Sequence, residues 1–316
     1  MLVVSPIMSG TEDKRRLQNL VLARSVIDRA GHLRADPHTL ESLWLEAKII
    51  VLIKDRVHAT DSELIFHSAD EISGDGERYF LGRNNESGQI YFAWHTDEEI
   101  LEESELRTLR QIGAELSDEQ AGLAVHAIAL SNWHSSHPRC PRCGAPTKSD
   151  LGGAARICEV DASQHHPRTD PAVIVLVKDE DDRLLLGRQH SWAANRFSNF
   201  AGFVEPGESF EQCVLREVEE ESGLLVHSVH YLGSQPWPFP ASIMIAYEAT
   251  TSDVSTARAD GEEIVEIRWF TRESMKKAVN SGEISLPPRI SVSRRMIEYW
   301  YGEGAVEDLG AHGWTR

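Results

Sequence analysis

The second half of the chain alternates short apolar runs with turn residues, a pattern typical of a domain that contains a sheet. PAVIVLVKD (171–179) is a nearly continuous β-branched run, so it predicts a buried strand. RLLLGRQ (183–189) follows the polar turn DEDD and predicts the hairpin partner of that strand. The same reasoning predicts three more strands and a last helix, at 228–235, 242–250, 262–270 and 291–302. Strands mixed around one central helix favour an α+β fold.

The first half carries weaker patterns. Aromatic and apolar runs around turn residues predict a pair of strands within 79–94. Apolar residues recur with helical spacing in 97–116, and 118–137 predicts a second, more apolar helix. We therefore expect an N-terminal α+β domain, a cysteine-rich segment and a second α+β domain, with the boundaries 1–135, 136–168 and 169–316.

Composition and charge limit the classes of function. The formal net charge of −18 argues against a broad basic surface for nucleic acid. An anionic substrate would therefore need bound cations to reverse the local field. The sequence shows neither a membrane-spanning apolar run nor a signal peptide, and its four cysteines do not resemble a disulfide framework. We expect a cytoplasmic protein with no membrane partner.

The central helix of the second domain lies within GFVEPGESFEQCVLREVEEESGLL (202–225), which is rich in glutamate and has Arg216 as its basic residue. Ser209 and Gln212 have the spacing of a capping box, which predicts the start of the helix. Gly223 is placed to end it in the left-handed conformation. The predicted helix therefore contains most of these glutamates.

Three carboxylates of this helix, those of Glu217, Glu220 and Glu221, fall within about a 100° arc at roughly 100° per residue. Like charges one turn apart destabilise a helix by roughly 0.2–0.5 kcal/mol. Mg²⁺ or Mn²⁺ would remove the repulsion because these ions prefer oxygen ligands. A plain solvated helix face is the alternative reading of the same spacing.

The whole stretch fits the pattern G-x5-E-x7-R-E-U-x-E-E-x-G-U, where U is a large apolar residue. The matching residues are Gly202, Glu208, Arg216, Glu217, Val218, Glu220, Glu221, Gly223 and Leu224. This pattern resembles the Nudix box. The resemblance implies a Nudix α/β/α sandwich that hydrolyses a nucleoside diphosphate linked to another group. It also implies that Glu217, Glu220 and Glu221 bind catalytic Mg²⁺ or Mn²⁺ and that Arg216 orients them.

A second stretch, SQPWPFPAS (234–242), bears on the substrate. Its prolines fix the backbone, and Trp237 and Phe239 offer flat apolar surfaces to a base, although a loop packed into a core is the alternative. The stretch resembles the signature of the NADH pyrophosphatase branch of the Nudix family, as do 166–177 and 286–300. That branch implies hydrolysis of NADH or NAD⁺ to nicotinamide mononucleotide and AMP, and removal of NAD caps from RNA 5′ ends.

The branch resemblance also implies roles for single residues. Phe203 would stack on a base, and Gln235, Trp237 and Ser242 would contact substrate. Glu266 would complete the metal site, with an ordinary surface carboxylate as the alternative. Members of the branch are homodimers in which the signature loop reaches across the interface, so we expect a homodimer.

The cysteine-rich segment has the spacing of a zinc ribbon, Cys140-x2-Cys143 followed by Cys158. The family pattern has a fourth cysteine where this chain has Asp161. We predict a structural Zn²⁺ held by the three thiolates and Asp161. Histidine is an alternative fourth ligand, from His137, His165 or His166. A ribbon that folds without metal is the other interpretation.

Two further functions are left open by the sequence. One is a Nudix hydrolase whose specificity has shifted to ADP-ribose or another nucleoside diphosphate derivative. The other is a catalytically silent scaffold that binds a nucleotide. Loss of a box carboxylate would favour the scaffold, and none is lost.

Overall fold

The computed structural model of the protein describes residues 16–310 and 313–314. The expectation of no signal peptide concerns mainly residues 1–15, which lie outside the described residues. The helices are α1 (Pro37–Trp44), α2 (Leu109–Ile112), α3 (Asp118–Ser136), α4 (Phe210–Ser222), α5 (Arg272–Asn280), α6 (Val292–Tyr301) and α7 (Ala305–Asp308).

The strands fall into three groups along the chain. The first group is β1 (Ile27–Asp28), β2 (Lys48–Ile53), β3 (Arg56–His58), β4 (Phe66–His67), β5 (Glu77–Asn84), β6 (Ile90–Thr96) and β7 (Leu106–Thr108). The second is β8 (Thr147–Asp150), β9 (Ala155–Cys158) and β10 (Gln164–His165). The third is β11 (Asp170–Asp179), β12 (Leu184–Gln189), β13 (Phe200–Phe203), β14 (His227–Trp237), β15 (Ser242–Thr251) and β16 (Ile264–Phe270).

The first group forms one sheet in the order β1-β5-β6-β2-β3-β7, with β4 paired to β2. The antiparallel pair β5–β6 confirms the strands predicted within 79–94. Helix α3 confirms the helix predicted at 118–137, and Ser117 caps its start. Leu123 and Ile128 of α3 pack with Tyr79 and Leu81 of β5 in one buried cluster. The N-terminal half is therefore an α+β unit, and its core is completed by Ile290 from the C-terminal part of the chain.

The helix predicted over 97–116 is wrong. Glu103–Glu105 form a single 3-10 turn, β7 pairs antiparallel with β3, and α-helix is limited to the short α2. Ile100 remains 46% exposed whereas Leu106 is buried in the sheet, so the apolar positions do not share one buried helical face. At Leu106–Thr108 the backbone groups bond to β3 instead of within a helix.

The second group forms a three-stranded antiparallel sheet in the order β10-β9-β8. It is anchored to the first sheet by the buried Arg156 of β9. That guanidinium donates to Thr147 Oγ1 (2.7 Å) and forms an ion pair with Glu77 of β5 (3.3 Å). The ribbon-like segment is therefore fixed against the N-terminal sheet.

The third group forms a mixed sheet in the order β14-β15-β11-β12-β16, with β13 paired to β11 and β11 parallel to β15. Alternate residues of β11 face opposite sides. Val173, Val175 and Val177 pack with α4, while Ile174 and Leu176 pack with α5 and α6. The sheet thus lies between α4 and the α5–α6 pair, which confirms the predicted α/β/α sandwich.

Most elements predicted for this domain are confirmed. The strands at 171–179, 183–189, 228–235 and 242–250 correspond to β11, β12, β14 and β15. The strand at 262–270 and the helix at 291–302 correspond to β16 and α6. Strand β13 and helix α5 were not predicted. No helix among the described residues has the length and apolar content needed to cross a membrane.

Candidate active site

Helix α4 begins and ends where the sequence predicts. Ser209 Oγ accepts from the backbone N–H of Gln212 (3.2 Å), and the Gln212 side chain accepts from the Ser209 N–H (2.9 Å). Gly223 ends the helix at φ +69°, and a Cβ there would lie 2.8 Å from the carbonyl oxygen of Thr256. Both the backbone conformation and the close packing therefore favour glycine.

Arg216 holds the polar side of α4 together. Its Nε and Nη2 donate to the two carboxylate oxygens of Glu208, both at 2.9 Å. Its Nη1 donates to Glu217 (2.8 Å) and Glu220 (3.0 Å), and Nη2 also donates to the carbonyl of Phe203 (3.0 Å). The bidentate bond from Arg216 holds the pKa of Glu208 down to about 2. Arg216 and Glu208 thus form a charged frame beneath the other carboxylates.

Two of those carboxylates are held where ionisation is costly. Glu221 is only 3% exposed, and its Oε2 accepts from the Ala201 N–H (3.2 Å). Burial, followed by repulsion from Glu263 and Glu217, raises the pKa of Glu221 to about 9. Burial also raises the pKa of Glu217, despite the bond from Arg216. Neighbouring carboxyls that resist ionisation are a common feature of functional sites.

Gly202 on β13 shows how closely the sheet approaches this cluster. A Cβ added at Gly202 would overlap the carboxylate of Glu217. Glycine is therefore required here by space, so that the β13 backbone can lie against the carboxylates of α4. The same strand supplies the Ala201 N–H to Glu221.

The solvent exposure of these carboxylates increases from Glu221 through Glu217 to Glu220. Glu221 is buried, the Glu217 side chain is 12% exposed and that of Glu220 is 60% exposed. A divalent cation could take hard oxygen ligands from the inner residues and still meet water or substrate on the outer side. The donor set and its excess negative charge therefore fit a divalent metal ion.

The structure does not bring Glu266 into this cluster. Its carboxylate accepts from Arg268 Nε (2.6 Å) and Arg188 Nε (3.2 Å) on the sheet. Burial opposes ionisation of Glu266, but the bonds from these arginines lower its pKa overall. Glu263, just before β16, interacts electrostatically with both Glu217 and Glu221.

Sequence reasoning missed Glu263 because Glu262 and Glu263 look alike in the sequence as acidic residues before a strand. The β12–β16 register shifts between Arg188 and Gln189, and Gln189 Nε2 donates to Glu263 (2.9 Å). Such a shift changes which side chains share a face, and it cannot be read from alternation alone.

Glu221 also lines a cavity of about 1120 Å³. The wall includes Arg107 and Arg110 from the N-terminal domain and Ile174 and Met244 from the third sheet. Ligand pockets measure roughly 300–1,000 Å³, so the volume suits a ligand as large as a dinucleotide. Glu221 therefore places one carboxylate of the cluster on a cavity whose walls come from both halves of the chain.

Trp237 lines this cavity as part of the proline-rich loop. Its ring meets Phe239 edge to face, with centroids 4.8 Å apart. The guanidinium of Arg110 lies 3.8 Å from the Phe239 centroid and 5.1 Å from that of Trp237. Asn132 donates to two carbonyls of the loop, those of Pro238 (2.9 Å) and Pro240 (3.1 Å). The loop is thus packed against the N-terminal domain and still borders the cavity.

The other three residues predicted to bind substrate do not line this cavity. Gln235 is fully buried; its amide accepts from the Leu22 N–H (3.2 Å) and donates to the Ile290 carbonyl (3.0 Å), so both ends bond to backbone. Ser242 pairs with Trp237 at the end of β14 and β15. Phe203 is 60% exposed beside the carboxylate cluster. Among the described residues, only Trp237 of these four lines the cavity.

The cysteine-rich segment forms a second compact donor group. The ligand atoms of Cys140, Cys143, Cys158 and Asp161 all lie within 4.8 Å of one another. Backbone N–H groups point at the Sγ atoms of Cys140 and Cys158 at 3.4–3.5 Å. Three sulfurs and one carboxylate oxygen in this space fit a tetrahedral zinc site.

Histidine is less well placed to be the fourth donor. His165 Nε2 lies 3.3 Å from Cys140 Sγ, and His137 bonds to Ser136 at its own helix end. The group whose ligand atoms all lie near one another contains Asp161 and no histidine, among the residues described. Asp161 thus lies near all three sulfurs, and His165, which contacts Cys140, is the alternative fourth ligand.

Three family profiles match the chain in succession. Residues 52–133 match the NADH pyrophosphatase-like rudimentary NUDIX domain, 135–165 the NADH pyrophosphatase zinc ribbon domain, and 168–288 the NUDIX domain. The matches follow the order of the three sheets.

Relatives extend this similarity over nearly the full length. The chain is 38% identical over 308 residues to the NAD-capped RNA hydrolase NudC of Mycobacterium tuberculosis, covering 93% of this chain and 98% of that protein. It is 39% identical over 199 residues to the NAD-capped RNA hydrolase NUDT12 of Homo sapiens, covering 59% of this chain and 43% of that protein. A solved NUDIX hydrolase from Nitrosomonas europaea is 19% identical, with a TM-score of 0.40, covering 52% of this chain and 93% of that one.

Proposed function

Because this chain belongs to the NADH pyrophosphatase family of Nudix hydrolases, we propose that it hydrolyses the diphosphate of NADH and NAD⁺. The products are reduced or oxidised nicotinamide mononucleotide and AMP. Removal of NAD caps from RNA 5′ ends is the proposed second activity, because its relatives NudC and NUDT12 are NAD-capped RNA hydrolases. One observation carries the proposal: Arg216 gathers Glu217 and Glu220 beside the buried Glu221, which lines a cavity of dinucleotide size.

We propose Mg²⁺ or Mn²⁺ as the catalytic cation, held by Glu217, Glu220 and Glu221 with Glu263 nearby. Such an ion, when bound, neutralises charge on the diphosphate and lowers the pKa of the attacking water. Arg216 keeps Glu217 and Glu220 in one orientation, so less side-chain freedom is lost when a ligand binds. The Ala201 N–H fixes one oxygen of Glu221 from the opposite side. We do not include Glu266, whose carboxylate is taken up by two arginines.

The cavity supplies the position of the dinucleotide. Its walls come from two domains, so binding couples the N-terminal domain to the carboxylates of α4. The segment 234–242, which contains the end of β14 and the turn into β15, acts as a rigid wall, because its prolines restrict the backbone and Asn132 bonds two carbonyls of the turn. We propose that Trp237 contacts substrate through the part of its ring left open by Arg110.

The acidic character of the chain limits how RNA would bind. At a net charge of −18, contacts along a long phosphate backbone are electrostatically opposed. We therefore propose that a capped RNA is recognised chiefly through its NAD end, inside the cavity.

Incubation with NADH in the presence of Mg²⁺ or Mn²⁺, followed by chromatography, tests the function. We expect reduced nicotinamide mononucleotide and AMP in equal amounts. ADP-ribose and an NAD-capped RNA are parallel substrates in the same assay. Turnover of ADP-ribose without turnover of NADH would replace this proposal by the shifted specificity, and bound nucleotide without any turnover would support the silent scaffold.

We propose a structural Zn²⁺ bound by Cys140, Cys143, Cys158 and Asp161. The compact group of donor atoms supports this, as does the match of 135–165 to a zinc ribbon. Metal analysis of the purified protein by mass spectrometry would measure it.

We also propose the domain boundaries 1–135, 136–168 and 169–316, a homodimer and a cytoplasmic location. Exposed apolar side chains support an interface, namely Phe203, Phe210, Leu225 and Tyr231, which lie on or beside α4 and the edge strand β14. The four cysteines are free, in keeping with a reducing compartment. Light scattering at several concentrations tests the dimer.

A further inference from the structure

A second aromatic surface lines the cavity, apart from the proline-rich loop. Trp192 and Trp314 both border the cavity that contains Glu221. Their ring centroids are 5.3 Å apart, and the ring planes are inclined by 49°. Each indole is only half-buried, so each keeps surface that a ligand can cover. Neither residue belongs to the Nudix box or to the 234–242 stretch.

Gly313 and Trp314 are held in place by contacts with residues 286–288. The backbone N–H of Trp314 donates to the Leu286 carbonyl (3.1 Å). Gly313 lies so close to Pro287 and Pro288 that a Cβ would overlap their backbone. The guanidinium of Arg196 lies 5.9 Å from the Trp314 ring centroid. Backbone bonding and close packing therefore bring a residue distant in sequence to the cavity wall.

The other large aromatic residues near the site are less suited to stack on a planar ring. Trp237 and Phe239 pack edge to face and share the guanidinium of Arg110. Phe203 is exposed but does not line the cavity described here. A planar heterocycle inside the cavity therefore meets its open aromatic surface at Trp192 and Trp314.

We propose that Trp192 and Trp314 form the stacking site for one heterocyclic ring of the dinucleotide, adenine or nicotinamide. This inference rests on the proposed function, because it assumes a dinucleotide whose diphosphate lies at the α4 carboxylates. The two residues determine affinity and specificity and take no part in bond cleavage. Stacking accepts any base because every base has a flat π-face, so a ligand without a ring gains no affinity from this site.

The test compares Trp192→Ala, Trp314→Ala and Trp314→Phe with wild type in NADH hydrolysis and in mononucleotide binding. For the two alanine variants we expect KM for NADH to rise roughly 5- to 150-fold, the range for a base stacked on an aromatic side chain. The value of kcat should stay close to wild type. Trp314→Phe should restore most of the lost affinity, which a purely structural role of the indole would not produce.

Calorimetric titration with AMP and with nicotinamide mononucleotide identifies the ring. A larger loss of affinity for AMP assigns adenine to the site, and a larger loss for nicotinamide mononucleotide assigns nicotinamide. Trp269→Phe is the matched control, since that half-buried indole packs with Arg183 and does not line the cavity. It should leave KM and both binding constants unchanged.

Unchanged KM and unchanged affinity for both mononucleotides in folded Trp192→Ala and Trp314→Ala would overturn the inference. Circular dichroism and the melting temperature establish that each variant is folded. Failure of the proposed function gives a different result, because wild type would then not hydrolyse NADH at all. The binding titrations with the two mononucleotides would still test the stacking site.

Discussion

The chain gathers potential metal ligands in two places, and the two places differ in donor type and in how the charge of the donors is stabilised. In the cysteine-rich segment, a hydrogen bond with Ser163 holds the pKa of the Cys140 thiol down to about 6. In α4, burial raises the pKa of Glu221 to about 9.

The backbone N–H of Asp161 favours the Cys158 thiolate, but burial and the side chains of Asp161 and Cys143 raise the pKa of Cys158 to about 11 overall. The cysteine group therefore holds one thiol that favours the charged form and one that resists it, whereas burial opposes ionisation of both Glu217 and Glu221.

The donor types also differ. Thiolates with a single carboxylate suit a closed zinc site that contributes to folding. Glutamates that range from buried to 60% exposed suit a hard cation that keeps open positions for water or substrate. The cysteine group therefore suits a structural ion, and the glutamates of α4 keep an electrostatic repulsion that a cation would relieve.

The largest effect should follow from removing charge at α4. We expect Glu220→Gln or Glu221→Gln to lower kcat at least about 100-fold, because metal-ion charge stabilisation is worth several kcal/mol. The fold should persist, since Glu220 is exposed and glutamine keeps the shape of Glu221. Steady-state NADH hydrolysis measures the change.

Glu219→Gln is the matched control, because Glu219 is an exposed neighbour on the same helix. Its kcat should equal that of wild type. Wild-type rates in both Glu220→Gln and Glu221→Gln would contradict the metal assignment.

A smaller effect separates two acidic residues near β16. We expect Glu263→Gln to lower kcat by about 10- to 100-fold, the range for groups that tune a metal site. Glu266→Gln should leave kcat near wild type, because Glu266 is bonded to Arg188 and Arg268. Titration of activity with Mn²⁺ compares the apparent metal affinity of the two variants. If Glu266→Gln lowered kcat more than Glu263→Gln, Glu266 would be the carboxylate that supports the metal site.

The cysteine site should respond in stability rather than rate. We expect Cys143→Ser to lose its bound zinc. If the concentration of free zinc is about 100 times the Kd of the site, the free energy of unfolding should fall by about 2.7 kcal/mol. That corresponds to a fall of roughly 5–10 °C in Tm for a domain of about 150–250 residues. Measured well below Tm in Mg²⁺, kcat should stay close to wild type.

Scanning calorimetry and zinc analysis check this result. Cys213→Ser is the control, since Cys213 lies in α4 and should not affect zinc content. A large fall in kcat with unchanged Tm in Cys143→Ser would show that the two sites are not divided by role.

The smallest effect concerns the junction between the ribbon and the first sheet. Burial opposes ionisation of Glu77, but its bonds with His134 and Arg156 dominate and hold its pKa at about 2. A carboxyl with a lowered pKa stabilises the folded state above its ordinary value of about 4.5, and that contribution is lost as pH falls toward 2. Glu77→Gln should therefore destabilise at pH 7 and show less additional loss of stability between pH 4.5 and 2.

Urea unfolding at a series of pH values measures this difference. Glu41→Gln is the control, because Glu41 is an exposed partner of Arg78 near the same sheet. If Glu77→Gln and wild type showed the same pH dependence of stability, the ionised Glu77 carboxylate would not stabilise the junction.

Much of the candidate site was predictable because it lies within one helix. The capping box at Ser209, the end at Gly223 and the shared arc of Glu217, Glu220 and Glu221 follow from the periodicity of an α-helix. The bonds of Arg216 to its neighbours at one and four residues are equally local. Such features depend on backbone geometry that is nearly the same in every helix.

Residues far apart in sequence were harder to assign. Gln235 is predicted to contact substrate, and nothing in the sequence indicates that its amide bonds the backbone of Leu22 and Ile290. Glu263 was overlooked because a register shift between β12 and β16 decides which acid approaches α4. The helix predicted over 97–116 failed because strand pairing with β3 outweighed its apolar spacing. Each outcome depends on which elements pack together.

The sequence by itself determined the family and predicted the reaction chemistry and the ligand types, because these depend on residue identity at short spacings. Tertiary structure alone decided the burial that raises the pKa of Glu221, the covering of Trp237 by Arg110, and the meeting of Trp192 with Trp314. The physical reason is that desolvation and contact depend on the surrounding atoms, most of which come from distant parts of the chain.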